Sequence, residues 1–148
     1  MPTELGPRYE TFDPIDPPQM LPQDLPIWHK FRKAYLDIFL HFYYSVKLGG
    51  QLLTDPAIQE NMIKTWYAST AKRVDAVGET KDEVWIIEVA SNPGLRAIGQ
   101  ILTYASLWGL DPKINKPAVS VLVSERVDQD LRFACMVQGV RVMEIPWG

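Results

Sequence analysis

Two carboxylates, Asp75 and Glu88, stand where acidic side chains are costly to place. Asp75 lies within Lys72-Arg73-Val74-Asp75-Ala76-Val77-Gly78-Glu79, and Glu88 within Glu83-Val84-Trp85-Ile86-Ile87-Glu88-Val89-Ala90, apolar on both of its sides. Both runs read as β-strands, and Thr80-Lys81-Asp82 between them is polar and short enough for a hairpin turn. Side chains alternate faces along a strand, so Arg73, Asp75, Val77 and Glu79 share one face. Val84, Ile86, Glu88 and Ala90 share a face of the neighbour. Across a hairpin turning near Lys81 the two acids can lie opposite each other at similar depth. A buried, unpaired carboxylate costs several kcal/mol, and two that meet repel unless a proton or a cation lies between them. Mg²⁺ suits such a pair, because it takes oxygen ligands, needs only one or two carboxylates, and completes its shell with water and phosphate oxygens. A site of that kind activates water and stabilises a phosphodiester transition state. The plainer reading of Asp75 is an ion pair with Arg73 on the strand surface.

The elements that must position these residues follow from periodicity. Asp24-Leu25-Pro26 reads as a helix start with an acidic cap, followed by Ile27, Phe31, Ala34, Tyr35 and Ile38 at helical spacing. His29, Lys30, Arg32 and Lys33 fall mainly on its other side. That basic cluster is the best phosphate-facing candidate in the chain, against the plainer reading of a solvated helix face. Phe39 to Leu48 is aromatic and reads as a strand in its second half, stopped by Gly49-Gly50. Thr54-Asp55-Pro56 starts a second helix with Ile58, Met62, Ile63 and Trp66 on its buried side and Glu60, Asn61 and Lys64 outside. After the two central strands, Gly94 to Leu107 is an amphipathic helix with Leu95, Ile98, Ile101, Leu102 and Ala105 inward. Arg96, Gln100 and Tyr104 form an i, i+4, i+8 line along it. Ala118 to Val123 is a buried strand, Asp128 to Gln138 a helix with Gly139 after it, and Val140 to Ile145 the last strand. Helices interspersed with strands predict an α/β fold with a mixed central sheet covered on both faces.

Composition bounds the rest. The 148 residues fit one domain with a real core, and the 47% hydrophobic fraction is that of an ordinary globular chain. Residues 1–26 hold seven of the twelve prolines, which predicts an extended arm, with residues 27–148 forming the domain. Leu5, Tyr9, Phe12, Ile15, Met20, Leu21 and Leu25 along the arm imply that it lies in a groove, on its own body or on a partner. The arm carries five acids against Arg8 alone, so the formal net charge of −3 splits into −4 for the arm and +1 for the body. A nearly neutral body argues against a generic polyanion binder and leaves any nucleic-acid contact to local patches. Cys135 has no second cysteine to pair with and reads as a small buried hydrophobe. His29 and His41 are too scattered for a metal pair, and no Cys/His cluster suits zinc. No apolar run approaches membrane-spanning length and the N-terminus lacks the form of a signal peptide, so an intracellular protein without a membrane contact is expected.

Asp75, then Glu88-Val89-Ala90, then a helix with Gly99-Gln100-Ile101-Leu102-x-Tyr104, resembles the PD-(D/E)XK nuclease superfamily, and more narrowly its small members in tailed bacteriophages. The resemblance covers roughly Leu25 to Ile145 and implies a restriction-endonuclease-like core. It makes Asp75 and Glu88 metal ligands, with Gln100 and Tyr104 on a helix supporting the site and the scissile strand. Glu60 matches an additional acidic residue that some members carry. The departure is at Ala90, where the family keeps a lysine that orients the attacking water and offsets developing charge. Losing such a group costs about 10²–10³-fold in rate, of order 3–4 kcal/mol. Arg96 is a candidate substitute cation, as are Lys72 and Lys47 on paper, although an arginine cannot act as a base near neutral pH.

Two functions follow from the resemblance. The favoured one is a nuclease-fold protein that has lost catalysis, needs no cofactor, and serves as a structural or assembly component of a phage particle. Its arm would clamp neighbouring subunits in an oligomer or virion made in the host cytoplasm. The alternative is a Mg²⁺-dependent DNA endonuclease using Asp75 and Glu88. Ala90, the neutral body and the apolar-studded arm favour the first, and the retained acidic pair favours the second.

Overall fold

The computed structural model describes residues 3–50 and 57–145. Among them, six strands form one mixed sheet in the order β1-β2-β3-β4-β5-β6, with four helices packed around it. The elements are β1 (Arg8–Tyr9), α1 (Leu25–Ala34), β2 (Phe39–Leu48), α2 (Glu60–Thr70), β3 (Lys72–Thr80), β4 (Val84–Ala90), α3 (Leu95–Leu110), β5 (Ala118–Ser124), α4 (Gln129–Val137) and β6 (Val140–Glu144). β1 to β4 pair antiparallel, whereas β4, β5 and β6 run parallel. The parallel pairs are joined by α3 and α4, as parallel neighbours require a crossover. The expected α/β class and element order hold, with β1 added inside the N-terminal segment.

The strands sort their side chains to two helical layers. On β4, Trp85, Ile87 and Val89 join Trp28 and Phe31 of α1, while Val84 and Ile86 join Tyr104 and Trp108 of α3. On β5, Val121 and Val123 face the α1 layer, and Leu122 meets Ile98 and Ile101 of α3 with Leu131 and Cys135 of α4. This is the doubly covered sheet that the apolar run of β4 demands. The hairpin closes where expected. Thr80 N–H donates to the Glu83 carbonyl at 2.8 Å, and the Thr80 hydroxyl accepts from Glu83 N–H at 2.9 Å. Gly78 sits under the Phe39 ring, where an added Cβ would come within 2.6 Å of a ring carbon. Gly78→Ala is therefore expected to destabilise the fold by about 1–3 kcal/mol through overpacking. An unchanged urea midpoint would mean that the ring moves aside freely.

Three expectations need correction. All of Phe39–Leu48 is strand, not its second half alone, because Phe39 and Phe42 already bury against the α1 layer. On α2, Met62 and Trp66 are 58% and 43% exposed instead of buried. The strands on either side of this helix pair directly with each other, and α1 and α3 already cover the sheet, so no apolar face is left for α2. Its expected start at Thr54-Asp55-Pro56 lies outside the described residues. Leu95, expected inward, is exposed, because it occupies the first position of α3 before the helix reaches the sheet.

The N-terminal segment packs on its own body. Glu4 bridges to Lys47, β1 pairs with β2 through Arg8↔Tyr43 and Tyr9↔Phe42, and Met20 is buried among the α1-layer aromatics. Thr3 N–H donates to Asp111 at 2.6 Å. Arg32 is buried and donates to the Thr11 carbonyl at 3.0 Å, and His29 pairs with Asp16 at 2.7 Å. Two members of the basic cluster on α1 thus hold this segment.

Candidate functional site

Pairing of β3 with β4 runs from Glu79↔Val84 to Ala76↔Ile87. The ladder stops there, one residue short of Asp75 on β3 and of Glu88 on β4. There the backbone ladder gives way to a side chain, with Val89 N–H donating to Asp75 Oδ2 at 2.9 Å. The Asp75 carboxylate therefore lies in the line of the ladder, in the gap where the two strands part. On β3, Val74 and Val77 both join the α3 layer although three residues apart, so strict alternation slips at Asp75 and Ala76. Glu88 is 8% exposed and comes within hydrogen-bonding reach of Asp75. Burial above all, then the Asp75 carboxylate beside it, pushes the Glu88 carboxyl far above its ordinary value. Burial and that neighbouring charge favour the protonated form of Glu88.

A third acid joins the pair. Asp24 occupies the cap position of α1 but does not cap it, since Pro26 offers no N–H and the Asp24 backbone is already helical. Its carboxylate turns instead to Ser91, accepting that N–H at 2.9 Å just beyond β4. Asp24 is 7% exposed, and burial followed by the nearby Asp75 charge raises its pKa. Sequence reading saw this residue as a helix cap. No local pattern marks its other role, because Ser91 lies 67 residues away.

Asp24, Asp75 and Glu88 line one cleft of about 400 Å³ at the carboxyl end of β4. Gln100 and Tyr104 of α3 line it as well, as does Arg96 at the start of that helix. Arg73 of β3 adds a second guanidinium, and Gln19 and Leu21 of the N-terminal segment form part of the rim. Tyr104 is driven up by burial and then by the charges of Glu88 and Asp75, so its hydroxyl remains a hydrogen-bond donor. Ala90 lines the cleft too, and no lysine does among the described residues.

Other sequence candidates lie elsewhere. Glu60 is exposed on α2, ion-paired with Lys64 at 3.6 Å, and does not line the cleft, whereas Asp24 does. His29, Lys30 and Lys33 sit on α1 away from the cleft lining, with His29 engaged by Asp16. Lys47 pairs with Glu4 at 3.7 Å and Lys72 donates to the Thr70 carbonyl at 3.1 Å, and neither lines the cleft.

Among the described residues, no three His, Cys, Asp or Glu side chains form a ready-made metal cage. Mg²⁺ does not require one, because water and phosphate oxygens fill most of its shell. The donor set fits a hard divalent cation: oxygen ligands only, on neighbouring strands, with the crowding that raises Glu88 being of the kind a cation relieves. The chain matches no protein-family model, no curated protein and no solved structure.

Proposed function

We infer that this chain is a divalent-metal-dependent phosphodiesterase acting on nucleic acid, built on a PD-(D/E)XK-like core. The observation that carries this reading is the meeting of Asp75 and Glu88 in an open cleft, with Asp24 beside them and two arginines on the walls. Buried acids gathered this way cost the ligand-free fold stability, and clusters of this kind concentrate at functional sites. Asp75 and Glu88 would hold Mg²⁺, which when bound lowers the pKa of water and offsets phosphate charge. Arg73 and Arg96 can bind the non-bridging phosphate oxygens, and Tyr104 and Gln100 can orient the strand by hydrogen bonds. Asp24, oriented by Ser91 N–H, supplies a carboxylate able to accept a proton from attacking water.

A second reading, a phage assembly component that has lost catalysis, draws on one specific observation. Ala90 faces the cleft where the family lysine would stand, and neither arginine can act as a base. The N-terminal segment no longer adds to this reading, because it is seated on its own domain.

Cleavage of supercoiled and single-stranded DNA in Mg²⁺ or Mn²⁺ tests both. Slow cutting is expected from the native chain, with a rise of about 10²-fold in Ala90→Lys. Complete silence in both proteins, with no calorimetric Mn²⁺ binding, would remove the enzymatic reading.

A further inference from the structure

A second cavity, of about 270 Å³, lies beneath the N-terminal segment on the α1 side of β2. Its walls include Tyr9, Pro18 and Tyr44, and its polar edge carries Ser45, Lys47 and Glu4. Ser45 has φ +51, the left-handed region, and is the only non-glycine residue described there. Left-handed backbone at a residue with a Cβ costs about 1–2 kcal/mol and persists where the surroundings or a function demand it. Here it breaks the alternation of β2. Phe42 and Tyr44 face the α1 layer, Val46 and Leu48 face the α3 layer, and two consecutive hydroxyl residues come to line one cavity.

Both hydroxyls are buried and neither has a hydrogen-bond partner. Tyr44 is only 6% exposed, and the Trp28 indole packs edge-on against its ring at 5.7 Å, with Nε1 near enough to the phenol to offset part of the effect of burial on it. Burial pushes the Tyr44 phenol up to about 12, so it is a donor at neutral pH. Tyr9 packs against it, with ring centroids 5.2 Å apart. An aromatic and proline wall with a polar edge of Ser45, Lys47 and Glu4 suits a flat ring that carries polar groups on its rim. The volume falls just below the ~300 Å³ lower end of ligand pockets, which fits a single ring system and not a whole nucleotide.

The two cavities are neighbours. Pro18 lines this one and Gln19 lines the acidic cleft. Tyr44↔Ala76 and Val46↔Val74 bracket Ser45 and Asp75, placing them across from each other on β2 and β3. We propose that this cavity receives a nucleobase of a single-stranded or frayed segment, one step along the strand from the phosphate held in the acidic cleft. The choice of nucleic acid rests on the phosphodiesterase reading above.

The probe is a short single-stranded oligonucleotide carrying 2-aminopurine at successive positions, titrated in EDTA and in Ca²⁺ and compared with its duplex. Stacking on Tyr9, the part-exposed ring of the pair, should quench one position of the single strand and spare the duplex. Tyr9→Leu should weaken binding about tenfold and abolish that quench. Tyr44→Phe, which removes only the hydroxyl and keeps the ring packing, should weaken it about three- to tenfold with the thermal midpoint nearly kept. Quenching and affinity unchanged in both variants, or no quench with the native chain, would overturn the proposal and leave the hydroxyls to ordered water. Cutting by Ala90→Lys without position-specific quenching would keep the phosphodiesterase and discard the base pocket. Quenching without cutting would do the reverse.

Discussion

Asp75→Asn should lower metal-dependent cleavage by about 10²–10³-fold while leaving the fold intact. The asparagine carbonyl oxygen can still accept from Val89 N–H, which Asp75 Oδ2 does now at 2.9 Å. Only the charge and one oxygen ligand are lost. Asp75→Ala is a poorer test, because it leaves that strand N–H without its acceptor, at a cost of about 1–3 kcal/mol. Removing the Asp75 charge also removes one of the influences that hold Glu88 protonated. The lone Glu88 should therefore ionise more readily but bind Mn²⁺ more weakly, as calorimetry would show. Cleavage by Asp75→Asn at the native rate, with undiminished Mn²⁺ affinity, would move the chemistry away from this pair.

The site was partly legible because a three-residue turn pairs the two strands in a register that ends beside Asp75 and Glu88, even though the alternation of β3 slips there. Helical spacing then carries Gln100 and Tyr104 to the same place. Asp24 was not legible in this role, since its partner is Ser91, 67 residues away, and no local pattern encodes that pairing. Arg32 misled for a related reason. Its position on the polar side of α1 reads as solvated, yet the N-terminal segment covers it and takes its guanidinium to Thr11.

The sheet order followed from ordinary rules, but the slips inside the strands did not. A left-handed Ser45 is not a choice that propensity makes, and without it Tyr44 and Lys47 would fall on opposite faces. The paired irregularities at Ser45 and Asp75 share one place in the sheet, where β3 leaves β4 and both cavities open. Local rules fail there because tertiary contacts, from the N-terminal segment and from α1, decide the backbone. The exposed apolar residues of α2 teach the same lesson in reverse. Met62 and Trp66 have helical spacing and no sheet surface left to cover.

Glu88→Gln should stabilise the metal-free protein, and the gain should grow with pH. The Glu88 carboxyl has a folded pKa above its ordinary value of 4.5, so folding takes up a proton wherever the unfolded chain has released it. Its stabilising contribution is complete below pH ~4.5 and is lost as pH rises toward the folded pKa, at up to about 1.4 kcal/mol per pH unit. Asp24, raised mainly by burial, works in the same direction. Glu79, Asp111 and Glu144 have lowered values, held by Lys116, by Thr3 N–H and by Val127 N–H, so their contributions fail only in acid. Urea midpoints of the native chain in EDTA should therefore fall from about pH 5 through 7 to 9. Glutamine donates the hydrogen bond that protonated Glu88 offers Asp75 and has nothing to titrate, so its midpoints should fall much less. Mn²⁺ should restore the native chain most at the alkaline end, where cation and proton no longer compete. A flat native profile, or an equal fall in Glu88→Gln, would mean that Glu88 is ionised in the folded state and that no proton bridges the two acids.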